Sequence, residues 1–224
     1  AVREFLATKP DAGSAEDTIA RRRALIRVGS DELFEAFSQP AGAVAVEQEY
    51  RLATSGVRLR VYRPSRADGL PVHVFMHGGG FWLGSVDERI VDATCRERCL
   101  GAECVVVSVD YRLAPEHRFP VAIEDCYEAL QWVAENAETI GADPSNISVG
   151  GVSAGANLAA ALALATRDRG GPALVLQLLE VPPLDLTLQT MRSSGVGNEY
   201  GITVEEMQLS VDLYLRDQDA VRDP

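Results

Sequence analysis

A chain of 224 residues is within range for one α/β domain and can bury a substantial core, and 46% hydrophobic with 24% charged residues is ordinary for a soluble globular protein. Its 33 acidic against 21 basic residues give a net charge of −12, which argues against a nucleic-acid partner and an anionic membrane surface. No apolar run approaches the roughly 20 residues of a membrane-spanning helix. The start, Ala1-Val2-Arg3-Glu4-Phe5, has neither a signal-peptide pattern nor an initiator Met, so the chain is expected to begin after its gene does.

In chain order, residues 14–28 read as a helix with Ser14 as N-cap, Asp17 three residues on, and Gly29 as its stop. Arg21-Arg22-Arg23 reads as a solvated helical face. Residues 31–38 read as a second, short helix carrying Leu33, Phe34 and Phe37, closed by Pro40. Strands are expected over 47–53, 57–62 and 72–77, the first two joined by the hairpin-length turn Thr54-Ser55-Gly56. Pro71 can open its strand, where its missing N–H costs least.

Helix 86–100 and buried strand 103–109 follow, then an ordered, non-periodic connection over 110–120. Residues 119–137 are helical in pattern, with Ala122, Asp125, Cys126, Ala129, Leu130 and Val133 on the inner side. A turn over 141–144 leads into a strand from Asn146 to Gly150, and an alanine-rich helix covers 154–166. Residues 174–179 read as another buried strand, stopped by Pro182-Pro183. Residues 191–201 are loop-like, and 203–215 form an amphipathic helix with a Thr203/Glu206 capping box. Its Met207, Val211, Leu213, Tyr214 and Leu215 could line a pocket or simply pack on the core. This strand–helix alternation implies a mostly parallel sheet covered on both faces.

Four cysteines, Cys95, Cys99, Cys104 and Cys126, lack a nearby histidine or ligand-spaced carboxylates. Reduced structural thiols, no metal and a cytoplasmic location are the expectation.

Two stretches carry chemistry. Gly151-Val152-Ser153-Ala154-Gly155 fits G-x-S-x-G between a strand and a helix, the nucleophile elbow. A serine at that turn is held in a strained conformation that lifts its hydroxyl clear of the sheet, and a Cβ at either flanking glycine would strike the neighbouring strand or helix. The other is His77-Gly78-Gly79-Gly80-Phe81-Trp82-Leu83-Gly84, directly after a strand. Three consecutive glycines imply close backbone approach or φ > 0. In an acyl-transfer enzyme such a loop aims N–H donors at the tetrahedral oxyanion. Alone it also reads as a glycine turn beside a core histidine.

The order of His77-Gly78-Gly79-Gly80-Phe81, then Asp110-Tyr111-Arg112-Leu113-Ala114-Pro115-Glu116 with Phe119-Pro120, then Gly151-Val152-Ser153-Ala154-Gly155 resembles the hormone-sensitive-lipase-like family of α/β-hydrolase carboxylesterases. The resemblance implies an α/β-hydrolase fold: a mostly parallel sheet, helices on both faces and a helical cap. Residues 1–45 and 191–224 would be cap segments around an incomplete 46–190 core.

It implies Ser153 as nucleophile, Gly79, Gly80 and Ala154 as the oxyanion hole, and His77, Gly78, Gly151 and Gly155 as supporting residues. His77 would brace the glycine loop through its ring nitrogens and would not be the base. Asp110 and residues 112–116 would hold the loops beside the elbow. Val152 departs from the acidic residue common at that position.

The implied reaction is hydrolysis of short- to medium-chain carboxylic esters, with a small-molecule ester as partner, no cofactor, and a homodimer compatible with the family. Acyl transfer to another alcohol and amide hydrolysis would use the same site, and a catalytically inactive small-molecule receptor is the alternative from another class.

In this fold the triad runs Ser, Asp or Glu, His along the chain. The three histidines, His73, His77 and His117, all precede Ser153. Asp185 is an acid candidate, but it lies earlier than the family's acid. The acid and base are therefore expected beyond Pro224, in a longer polypeptide.

Overall fold

The computed structural model describes residues 17–38, 41–194 and 202–215. Its elements in order are α1 (Ile19–Phe37), β1 (Val46–Arg51), β2 (Arg58–Arg63), β3 (Leu70–Met76), α2 (Arg89–Gly101), β4 (Val105–Asp110) and α3 (Val121–Glu135). A 3-10 turn (Glu138–Ile140) leads to β5 (Ala142–Val152), α4 (Ala154–Arg169), β6 (Leu176–Glu180), α5 (Gln189–Ser194) and α6 (Val204–Tyr214).

Among the described residues one six-stranded sheet has the order β1-β2-β4-β3-β5-β6. The hairpin β1–β2 and the β2–β4 pair are antiparallel; β4–β3, β3–β5 and β5–β6 are parallel. The residues alternating along these strands feed two core layers. Val72, Val74 and Met76 of β3 join Val105, Val107 and Val109 of β4 and the inner sides of α3 and α4. Phe75 and Val106 face the other way, onto Val91, Cys95 and Cys99 of α2 with Tyr62 and Cys104. All four cysteines are free and buried; burial pushes the Cys95 and Cys99 thiols up to about 12, far from the reactive thiolate form.

Three expectations need correction. The two N-terminal helices are one: α1 runs through Gly29, which is buried and helical, and its N-cap is Thr18, whose side chain accepts from Arg21 N–H. Ser14 and Pro40 lie outside the described residues. Residues 191–194 belong to a short helix, α5, while the remainder of that expected loop, 195–201, lies outside the described residues. Strand 176–180 is not buried: Leu176 is 58% and Leu178 42% exposed, because among the described residues β6 pairs only with β5.

The capping box of α6 is formed as read, with Thr203 accepting from Glu206 N–H and Glu206 accepting from Thr203 N–H. Val211, Tyr214 and Leu215 are buried in the main core, with Met207 and Leu213 packed against it, so packing accounts for that apolar face. Among the described residues no helix is long and apolar enough to cross a membrane.

Candidate active site

β3 and β5 are parallel neighbours, with Met76 opposite Gly151. Each therefore delivers its following segment to the same edge of the sheet, the place where open parallel sheets bind ligands. From β3 come His77-Gly78-Gly79-Gly80, and from β5 comes Ser153. A Cβ built on Gly78 would lie 3.6 Å from Ser153 Cβ and 3.1 Å from the Val152 carbonyl oxygen, so the two motifs lie against each other.

Ser153 sits between β5 and α4 at φ 53°, ψ −119°, a region that non-glycine residues rarely occupy. Its N–H donates to the Glu180 carbonyl (2.8 Å), and its own carbonyl accepts from Ala156 N–H (2.9 Å) and Asn157 N–H (3.0 Å). Asn157 Nδ2 in turn donates to the Pro183 carbonyl at 3.0 Å.

The flanking glycines let strand and helix cross at contact distance. A Cβ on Gly151 would lie 2.5 Å from the Met76 oxygen and from the Gly155 carbonyl carbon. One on Gly155 would overlap the Met76 and His77 carbonyls. Ala154 opens α4, so its N–H has no acceptor within the helix.

The glycine loop is a tight turn with Gly79 at φ 122°, Gly80 at 58° and Phe81 at 68°. The Gly79 carbonyl accepts from Trp82 N–H (3.1 Å) and Leu83 N–H (2.8 Å). Among the described residues the Gly79 and Gly80 N–H groups donate to no protein acceptor. Gly78, Gly79, Gly80 and Ser153 are all partly exposed, whereas His77 and Ala154 are buried.

His77 Nδ1–H donates to the Gly78 carbonyl at 2.7 Å, and the ring stacks on Tyr111 at 4.3 Å between centroids. Tyr111 Oη–H donates to the His77 carbonyl at 2.8 Å. Burial pushes the His77 pKa down, which keeps the ring neutral. Of its two ring nitrogens, Nδ1 makes the Gly78 contact and Nε2 has no partner among the described residues.

No histidine reaches Ser153. His73 is tied to Ser148 Oγ at 2.9 Å, His77 to Gly78, and His117 lies exposed on the 111–120 connection. Asp185 accepts from Thr187 N–H (3.0 Å) and from Thr190 N–H and Oγ1–H (both 3.3 Å), which fixes the entry to α5. Among the described residues no cluster of His, Cys, Asp or Glu could hold a metal.

The connection after β4 braces the loop from behind. Asp110 Oδ1 accepts from Val86 N–H (3.1 Å), Asp110 Oδ2 from Arg58 (2.9 Å), and Asp125 receives the Arg112 guanidinium. The structure also adds residues that sequence reasoning left aside. Arg23 is not a solvated side chain: its guanidinium binds the Trp82 carbonyl, the Ala114 carbonyl and the Glu116 carboxylate. Trp82 Nε1–H donates to Ser210 Oγ of α6 at 3.2 Å, and Phe81 stacks on Tyr214 at 4.0 Å. Hydrogen-bond partners 59 to 128 residues away leave no local pattern to read.

The model of the α/β-hydrolase fold family matches residues 73–224. Carboxylesterase NlhH of Mycobacterium tuberculosis is 52% identical over 142 residues, covering 62% of this chain and 44% of its own. Carboxylic ester hydrolase LipN of the same organism is 40% identical over 215 residues, covering 93% of this chain and 56% of its own. This chain therefore spans about half the length of these two relatives. Among solved structures, the hyperthermophilic esterase from Pyrobaculum calidifontis superposes with a TM-score of 0.88 at 36% identity, over 100% of this chain and 71% of that one. With the motifs, the sheet order and these relatives in agreement, the chain belongs to the α/β-hydrolase fold family, in its hormone-sensitive-lipase-like branch.

Proposed function

We propose that this chain carries the nucleophile and oxyanion hole of a serine carboxylesterase acting on short- to medium-chain esters. The observation that carries the reading is the pairing of a strained, partly exposed Ser153 with a loop whose Gly79 and Gly80 N–H groups have no protein acceptor among the described residues. Ester hydrolysis is also what the names of the relatives describe.

Ser153 Oγ attacks the ester carbonyl carbon as its proton passes to a base, and the carbonyl oxygen becomes an oxyanion. The Gly79, Gly80 and Ala154 N–H groups receive that charge, helped by the positive end of α4. Collapse breaks the bond to the alcohol, which leaves with a proton, and the acyl group stays on Ser153. Water then attacks the acyl carbon, and the carboxylic acid departs as Ser153 regains its proton.

His77 stays neutral and shapes the loop. The base is a group other than His73 and His77, whose contacts turn them elsewhere, and other than His117, which lies exposed on the 111–120 connection. α1 and α6 act as cap segments over the loop. The acidic net charge supports a small neutral substrate over a nucleic acid or an anionic surface, and the four free thiols support a reducing cytoplasm.

The test is turnover of p-nitrophenyl acetate and butyrate by the whole protein. Ser153→Ala is expected to lower kcat by a factor on the order of 10⁴ or more. Wild-type turnover in that variant contradicts the reading, and ligand binding with no turnover in the parent is what a receptor predicts.

A further inference from the structure

We infer that Arg23 is a positioning residue for the oxyanion hole: it acts through the Trp82 carbonyl to set the turn that aims the Gly79 and Gly80 N–H groups. This rests on the esterase reading above.

The turn is short and has few internal restraints. Gly79 and Gly80 have φ values open to many conformations in solution, and the hydrogen bonds inside the turn run only from Trp82 and Leu83 N–H back to the Gly79 carbonyl. Rotation of the Trp82 peptide would break that closure and swing the preceding N–H groups. The far side of this peptide is where Arg23 binds.

Arg23 Nε–H donates to the Trp82 carbonyl at 2.8 Å, and Nη2–H donates to the Ala114 carbonyl at 2.7 Å. The Ala114 N–H in turn donates to the Phe81 carbonyl at 2.9 Å. Nη1 and Nη2 also form a fork on the two Glu116 oxygens, both at 2.8 Å. One planar guanidinium thus locks the loop after β3 to the connection after β4, and Arg22 lies over the Trp82 ring at 5.4 Å. Lysine, whose donors all radiate from one nitrogen, cannot reproduce the planar fork that spans the Trp82 and Ala114 carbonyls and the Glu116 carboxylate. The Arg23 side chain is 26% exposed, so its bonds to the loop carbonyls are partly shielded from water.

The geometry separates two roles. Glu116 is more than half exposed and holds only the carboxylate side of the fork. Removing its charge leaves the bonds to Trp82 and Ala114 in place, whereas removing the guanidinium takes both. A helix-docking role would lower stability and leave ketone affinity unchanged; a loop-positioning role lowers ketone affinity together with kcat.

The experiment compares Arg23→Gln, Arg23→Lys and Glu116→Gln in the whole protein, with p-nitrophenyl butyrate as substrate and a trifluoromethyl ketone as probe of the oxyanion hole. Assays are run well below the melting temperature of each variant. Arg23→Gln is expected to lower kcat about tenfold with KM within about twofold, and to weaken ketone inhibition in proportion to kcat/KM. Arg23→Lys should fail to restore kcat, and Glu116→Gln should keep it within about twofold. An Arg23→Gln enzyme of unchanged kcat and ketone affinity overturns the proposal, as does an equal loss in Glu116→Gln. Failure of the underlying reading is distinct: then the parent itself does not turn over ester, or its turnover survives in Ser153→Ala.

Discussion

At the scale of the residue, the site is made of backbone conformations that only particular side chains tolerate. Ser153 at φ 53° is strained, and the surrounding structure over-determines it through the Glu180 carbonyl and the first turn of α4. Gly151 and Gly155 were legible in the sequence because their role is local and steric. Gly155→Ala presses a Cβ into the Met76 and His77 carbonyls, which are backbone and cannot turn aside. It should cost about 2 kcal/mol or more in urea denaturation and abolish most turnover. Gly101→Ala is the control: no atom lies within 4 Å of the added methyl, and stability should hold or rise slightly. Equal behaviour of the two variants would refute the close crossing of β5 and α4. Arg23 was not legible, since its role depends on carbonyls 59 and 91 residues away that only the fold brings near.

At the scale of the element, periodicity located the strands and helices well, and erred where tertiary packing decides. Gly29 reads as a stop, yet α1 passes through it, because a buried glycine inside a helix costs only about 1 kcal/mol relative to alanine and packing can offset that. β6 reads as buried; among the described residues it pairs only with β5, and Leu176 and Leu178 are exposed there. The capping box of α6 was legible because Thr203 and Glu206 bond within one turn. α6 also presents Ser210 and Tyr214 to Trp82 and Phe81, so its start bears on the site at one remove. Thr203→Ala should cost about 1 kcal/mol by denaturant unfolding. No measurable loss would mean that packing of Val211 and Tyr214 alone holds the helix.

At the scale of the whole molecule, the α/β architecture was legible from strand–helix alternation, and the sheet order then explains why two motifs 70-odd residues apart meet. Met76 and Gly151 are in register, so their successors emerge together. The hairpin side of the sheet contributes an ion network in which Arg58 and Arg60 share Asp87 and Glu49, holding the segment after the glycine loop from outside.

One buried group ties global stability to pH. His73 is 7% exposed; Ser148 Oγ–H donates to the Val72 carbonyl and accepts from His73 Nδ1–H, and Nε2 has no partner among the described residues. Burial, with the Arg98 charge adding to it, pushes the His73 pKa down to about 4. A depressed histidine favours the fold through its neutral form. Its contribution is complete above the unfolded value near 6.5 and is lost as pH falls from there through 4, amounting to about 2–3 kcal/mol by pH 4.5. Urea midpoints from pH 7 to 4.5 should therefore fall less steeply for His73→Gln than for the parent. Parallel curves would show that His73 titrates alike in both states.

The central claim, that Ser153 forms the acyl-enzyme, is tested most directly by peptide mass mapping after treating the whole protein with a fluorophosphonate. The account predicts one adduct, on the peptide containing Gly151-Val152-Ser153-Ala154-Gly155, and none in Ser153→Ala. An adduct on another residue, or one that persists in the variant, would contradict it.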